Sequence, residues 1–236
     1  MRISGLLFPR KCVFCGRLLR SDEFGACRAC KIRLPYVNEP VCVHCGKPLY
    51  DNSESVCEDC RRNHGSSLDQ NAALWVYRPK TKAAMMDYKY GGCRSDATFY
   101  ANELEVRFRD RIREWSPDVI VPVPIHRRRE WFRGYNQAEV LAEALGERMA
   151  LPVCEALIRI RATTPQKEMT PSERRKNLSR GILADTDVLN SVPHERVLLI
   201  DDVYTTGATL DTCARTLKDT GVGRVFGLCL CIGSGF

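Results

Sequence analysis

An α/β protein, with a parallel sheet flanked by helices and a small cysteine-rich module ahead of it, is the fold the sequence predicts. Three observations carry this. Residues 72–77, 119–125, 197–200 and 225–232 are short apolar runs of the kind a sheet buried on both faces requires. Stretches with helical apolar spacing alternate with them, the pattern of βαβ units. Four C-x-x-C pairs crowd the first 60 residues.

Composition sets the frame. At 236 residues and 44% hydrophobic content, the chain suits one medium domain plus a small one, divided here as 1–65 and 66–236. Met1 to Leu7 lacks a secretory apolar core and cleavage site, and no run has the length of a membrane span. A cytoplasmic location is expected. Thirteen cysteines without a secretion signal argue for metal ligation rather than disulfides. The net charge of +7 is concentrated in residues 1–62 and 125–180, whereas 181–236 is net acidic. Polyanionic partners would meet the two basic segments.

The first segment carries the strongest spacing signal. Cys12/Cys15, Cys27/Cys30, Cys42/Cys45 and Cys57/Cys60 each begin fifteen residues after the last. Glycine follows Cys15 and Cys45, whereas Lys31 and Arg61 follow Cys30 and Cys60, so the repeat unit is two knuckles long. Two consecutive sites result, Cys12, Cys15, Cys27, Cys30 and Cys42, Cys45, Cys57, Cys60; interleaved ligation, first pair with third, is the alternative. Four thiolates per ion with no open position suit structural zinc, with iron–sulfur ligation as runner-up. His44 and His64 lie beside the ligands and read as bystanders. Whether the ribbons also touch nucleic acid stays open.

In order, residues 63–71 read as a polar linker, and 72–77 as a strand stopped by Pro79. Thr81 to Tyr90 is a short helix ending at Gly91-Gly92, and Asp96 to Trp115 a longer one with Phe99, Leu104 and Phe108 among its apolar positions. Cys93 has no partner in spacing and reads as an ordinary thiol. The strand 119–125 leaves through Pro122 and Pro124 into a basic loop, His126 to Gln137, followed by a helix from Gln137 to Met149 with Val140, Leu141 and Leu145 as its stripe. A strand at 156–160 precedes a polar, basic stretch, 161–182. That stretch reads as a flap with a short helix from Ser172, able to close over a ligand or to contact nucleic-acid phosphates. In the last strand, 225–232, Cys229 and Cys231 read as core.

The chain is organised around residues 197–209. An apolar strand runs into Asp201-Asp202, then a small-residue loop, then a helix bearing Leu210, Ala214 and Leu217. A helix starting there aims free N–H groups and its positive dipole end at the loop. Thr205, Thr206 and Thr209 add hydroxyls, Gly207 leaves room, and Ala208 completes a phosphate cradle. Carboxylates repel phosphate, so the acids serve sugar hydroxyls and a magnesium ion. No Gly-Lys-Ser/Thr follows, so this is not a Walker loop. The segment resembles the type I phosphoribosyltransferase motif, Asp-Asp-x-x-Thr-Thr-Gly-x-Thr after a hydrophobic strand. The resemblance implies that fold and a 5-phosphoribosyl 1-diphosphate site, the acids holding the ribose and the loop the 5-phosphate.

Four arginines in the basic loop repel one another unless an anion is near, and the loop joins a strand end to a helix, where α/β ligands bind. Diphosphate contact is assigned to Arg127, Arg128 and Arg133, with Asp201 and Asp202 the candidate catalytic acids that hold the ribose and the magnesium; no general base is identifiable. Val121-Pro122-Val123-Pro124, Arg133-Gly134-Tyr135-Asn136-Gln137, the acid–threonine loop and the cysteine knuckles are together similar to the ComF (competence protein F) family over essentially the whole chain. The segment from Thr164 to Gly181 is similar too, except that Ile182 stands where the family commonly has an aromatic. The resemblance implies a double zinc ribbon, a role in DNA uptake during natural transformation, single-stranded DNA as a partner and protein partners in the competence machinery. A salvage or modifying phosphoribosyltransferase and a ligand sensor without turnover are the alternatives.

Overall fold

The computed structural model describes residues 10–51, 53–62, 66–160 and 181–233. Of the flap expected over 161–182, residues 161–180 with the helix from Ser172 lie outside the described residues, as do His64 and Met1 to Leu7, whereas Ile182 opens a strand.

Two one-turn helices, α1 (Arg28–Lys31) and α2 (Glu58–Arg62), each follow the first cysteine of a plain knuckle. Then come β1 (Gln70–Val76), α3 (Pro79–Tyr90), α4 (Asp96–Trp115), β2 (Val119–Pro122), α5 (Arg127–Arg133), α6 (Gln137–Met149), β3 (Leu157–Arg159), β4 (Ile182–Ala184), α7 (Thr186–Leu189), β5 (Arg196–Tyr204), α8 (Ala208–Lys218) and β6 (Arg224–Ile232). Four strands form one parallel sheet in the order β1-β6-β5-β2. The strands β3 and β4 make a separate antiparallel pair.

Both sheet faces are covered, as continuous apolar strands demand. Successive residues of β5 alternate between two cores: Leu198 and Ile200 join the cluster with α3, α4 and α6, and Val197 and Leu199 join the one with α8. The long helix α4 buries Phe99, Leu104, Phe108, Ile112 and Trp115 on one stripe, and Trp115 stacks on Phe226 with centroids 5.0 Å apart.

The cysteine-rich segment straddles the β1 edge. Cys12, Cys27 and Cys30 pack into the first core, and Cys42, Cys45 and Cys57 into the second. Between the two sites the chain runs beside β1: Val37 N–H donates to Leu74 O at 3.0 Å and Val76 N–H to Pro35 O at 2.8 Å. An edge strand that would otherwise offer unpaired backbone is thereby closed.

Three expectations change. The strand expected over 119–125 ends at Pro122, and the bond from Val123 N–H to Ile200 O at 2.9 Å is the last across to β5. The strand at 197 runs on through both acids to Tyr204, held by pairing of Asp201 with Cys229 and Tyr204 with Ile232 on β6. The basic loop contains a helix, α5. The His126 ring accepts the Arg128 N–H at 3.1 Å at its start, and Gly134 N–H donates to Glu130 O at 2.7 Å at its end. Among the described residues no helix is long and apolar enough to cross a membrane.

Candidate functional site

The cysteines divide as two consecutive sets. In Cys12, Cys15, Cys27, Cys30 and in Cys42, Cys45, Cys57, Cys60, all sulfurs of a set lie within 4.8 Å of one another. A tetrahedral Zn–S₄ centre has sulfurs about 3.8 Å apart; Cys15 and Cys27 stand at 3.9 Å, Cys45 and Cys57 at 3.5 Å. These residues fit zinc, and the interleaved pairing is ruled out. Each set begins with the same knuckle. Gly16 and Gly46 adopt φ of 71° and 72°, and their N–H groups return to Cys12 O and Cys42 O at 2.9 Å each. A side chain at Gly46 would also strike Asn71 O at 2.7 Å, where the knuckle rests on β1. The contact between the Cys42 and Cys45 sulfurs lowers the Cys42 thiol and raises the Cys45 thiol. His44 is exposed and belongs to neither set. Elemental analysis of purified protein should find close to two zinc ions per chain, one for each set. One ion, or iron with visible absorption, would contradict this division.

The acid pair sits where two strands part company. Pairing of β2 with β5 ends at Pro122 opposite Ile200, and the last bond across is Val123 N–H to Ile200 O at 2.9 Å. Beyond it Asp201 and Asp202 face a cleft of ≈ 160 Å³ at the carboxyl end of the sheet, the usual place for α/β ligands. Lys89, Arg129, Arg133, Arg159, Asn136 and Thr209 also line it. Asp202 is nearly buried and receives the Lys89 ammonium at 2.7 Å. Asp201 accepts the Asp202 N–H at 2.8 Å. Burial, with the neighbouring Asp202 charge, pushes the Asp201 carboxyl up to about 8.

The segment 133–137 contributes to the same cleft. The Arg133 guanidinium donates to Gln137 Oε1 at 2.7 Å and to Tyr90 Oη at 2.8 Å, and lies over the Tyr90 ring. The Tyr135 hydroxyl donates to Tyr88 O, tying this segment to α3. Asn136 caps α6 by accepting Ala138 N–H at 3.1 Å and donates to Val123 O at 3.1 Å. Arg133, Asn136 and Gln137 of the run line the cleft.

Other expected site residues fall elsewhere. Arg127 lines an adjoining cavity of ≈ 250 Å³ that shares Pro124, Ile125, Asn136 and Arg159 with the cleft. Arg128 is exposed on α5 and lines neither. Thr209 faces the acids, whereas Thr206, Gly207 and Ala208 line a cavity of ≈ 370 Å³ against the second cysteine set. Thr205 is exposed. Gly207, at φ 80°, starts α8, and a Cβ there would meet Tyr204 Oη at 2.2 Å, so a side chain would strain the turn and push the Tyr204 ring aside. Sequence reasoning left out Lys89, Arg129 and Arg159, which reach the cleft from α3, α5 and β3.

Comparison with known proteins agrees with this architecture. Residues 3–61 match the family model described as the double zinc ribbon domain. Competence protein ComFC of Bacillus subtilis is 32% identical over 212 residues, covering 86% of this chain and 82% of that protein. The chain belongs to the ComF family. Competence protein F of Haemophilus influenzae is 28% identical over 222 residues, covering 92% of this chain and 95% of its own length. DNA utilization protein YhgH of Escherichia coli K12 is 27% identical over 230 residues, with 96% and 98% covered. A purine phosphoribosyltransferase structure from Pyrococcus horikoshii overlaps 56% of this chain and 72% of its own, at TM-score 0.30 and 19% identity, a likeness too slight to bear on function. Within this ComF-family chain the acid cleft and the two zinc-type sites are separate. The acid cleft brings together carboxylates for hydroxyls or a hard cation and guanidinium groups for an anion.

Proposed function

We propose that this ComF-family chain binds 5-phosphoribosyl 1-diphosphate with magnesium in the Asp201–Asp202 cleft and engages single-stranded DNA through α5 in DNA uptake. One observation carries the small-molecule half: among the described residues Arg129, Arg133 and Arg159 line the cleft without an acid ion-pair partner, facing two carboxylates. Guanidinium groups crowded this way call for an anion, and paired acids beside them call for hydroxyls or a divalent cation. Asp201 and Asp202 would hold the ribose and, through water, the magnesium, whose chemistry is to neutralise the diphosphate. Arg133 and Arg129 lie nearest to taking the diphosphate, with Arg127 and Arg128 one helical face away. The loop Thr205, Thr206, Gly207, Ala208 and Thr209, at the start of α8, would take the 5-phosphate from between the two cavities, Thr209 on the acid side and Thr206, Gly207 and Ala208 on the other.

The DNA half is supported by exposed side chains. Trp131 is 88% and Phe132 75% exposed, on a helix that also exposes Arg127, Arg128 and Arg129. Such stacking faces among positive charges suit single strands. Two of the relatives are competence proteins and a third is a DNA utilization protein.

A transferase reading is favoured by the adjoining ≈ 250 Å³ cavity, which offers acceptor space beside the cleft, lined by Glu130, Glu139 and Glu155. Release of inorganic diphosphate on adding an acceptor would separate it from a binding role. The binding reading itself is tested by thermal unfolding. The whole ligand with magnesium should raise Tm by several degrees, as any ligand specific for the native state does. Ribose 5-phosphate or diphosphate alone should raise it less. Equal effects of all three would overturn the reading.

A further inference from the structure

We propose that Lys89 is the resident counter-ion of the acid pair and changes partner when the cleft fills. This rests on the magnesium and diphosphate reading above. Lys89 closes the last turn of α3, and its ammonium contacts Asp202 at 2.7 Å, with side-chain exposures of 21% and 12%. Of the four cationic side chains lining the cleft, it alone is paired with an acid among the described residues.

The nearly buried Asp202 carboxylate, with a second acid beside it, needs compensating charge whether or not a ligand is present. Lys89 supplies it. A magnesium-bearing ligand that engages Asp202 must displace the ammonium, so the two compete for one carboxylate. The freed lysine stays tethered to α3, and the other walls are Arg129, Arg133 and Arg159. Four positive groups would then face the ligand instead of three. The cost of removing Lys89 from Asp202 is offset only by an anion that arrives with the cation. Magnesium alone, or diphosphate alone, therefore fills the cleft poorly, and the complete ligand fills it well. Lys89 in this account is a positioning residue that makes cation and anion binding interdependent.

Lys89→Met keeps the stem and removes the charge. Isothermal titration with Mn²⁺ alone should show tighter binding to the variant than to the natural protein, by about tenfold, the size of one hydrogen bond to a charged group. Binding of phosphoribosyl diphosphate with magnesium should weaken by about the same factor. A structural role would weaken both. Because Lys89→Met leaves a carboxylate uncompensated and could unfold, the natural protein gives a second reading. Acetic anhydride labelling of Lys89, followed by mass spectrometry, should accelerate when Mg²⁺ alone is added and slow when phosphoribosyl diphosphate joins it. Unchanged Mn²⁺ affinity in the variant, or labelling indifferent to both additions, overturns the exchange. Should phosphoribosyl diphosphate not bind at all, the functional reading falls, while Mn²⁺ binding and Mg²⁺-dependent labelling still decide whether Lys89 and a cation compete.

Discussion

Replacing both acids, Asp201→Asn with Asp202→Asn, is expected to abolish binding of phosphoribosyl diphosphate with magnesium while leaving the fold intact. The amides keep shape and volume but lose the charge that a hard cation requires. Binding should weaken by at least about a hundredfold, since two charge-assisted contacts are lost together at roughly 1.5–3 kcal/mol each. The ligand-free protein responds in the opposite sense. Asp201 ionises near 8 in the fold because burial and Asp202 oppose its charge, against an ordinary carboxyl value near 3.8. Between those pH values the folded chain holds a proton that the unfolded chain has released, so stability falls as pH rises through the window. Asp201→Asn alone should therefore stabilise the ligand-free protein, by up to roughly 5 kcal/mol at pH 8 and by nothing near pH 4. Denaturant titrations at the two pH values check this. Unchanged affinity in the double variant would mean that the cleft binds something else.

The second large effect concerns DNA. If α5 presents its arginines and aromatics to a single strand, binding should show little sequence preference and fall steeply with salt. Three phosphate contacts from Arg127, Arg128 and Arg129 correspond to a slope of log K on log salt of about −2 for a single strand. Trp131→Ala should cost about 1–3 kcal/mol, the worth of one stacked base. The alternative of a ring buried in the core is removed by its 88% exposure, so the substitution tests contact rather than stability. Arg174, Arg175 and Lys176, which add to the expected basic surface, lie outside the described residues. Fluorescence anisotropy at two salt concentrations decides the matter. A salt-independent curve, or no binding, removes the DNA role and leaves the small-molecule reading standing.

What could be read from the sequence follows physical lines. The helices expected at Asp96–Trp115 and Gln137–Met149 have those same bounds, because each carries a strong apolar stripe. The helix α5 has no buried residue and hence no stripe, so only its end signals at His126 and Gly134 betray it. The continuation of β5 through two acids is invisible to an apolar pattern and depends on its partner β6. The strand, acids, loop and helix of 197–217 were legible as one unit because they are contiguous. Lys89, Arg129 and Arg159 come from three elements far apart in the chain, and only the fold brings them to one cleft. The four cysteine pairs gave two readings by spacing alone, and the sulfur positions decide between them.

The proposed function stands on the acid cleft holding phosphoribosyl diphosphate jointly through carboxylates, magnesium and arginines. Isothermal titration calorimetry of the zinc-loaded protein, with and without magnesium, tests it most directly. Saturable binding of one ligand per chain that weakens by about tenfold or more without magnesium is the expected result, the scale of one lost charge-assisted contact. Binding of equal strength with and without the metal, or no heat at millimolar ligand, would contradict it.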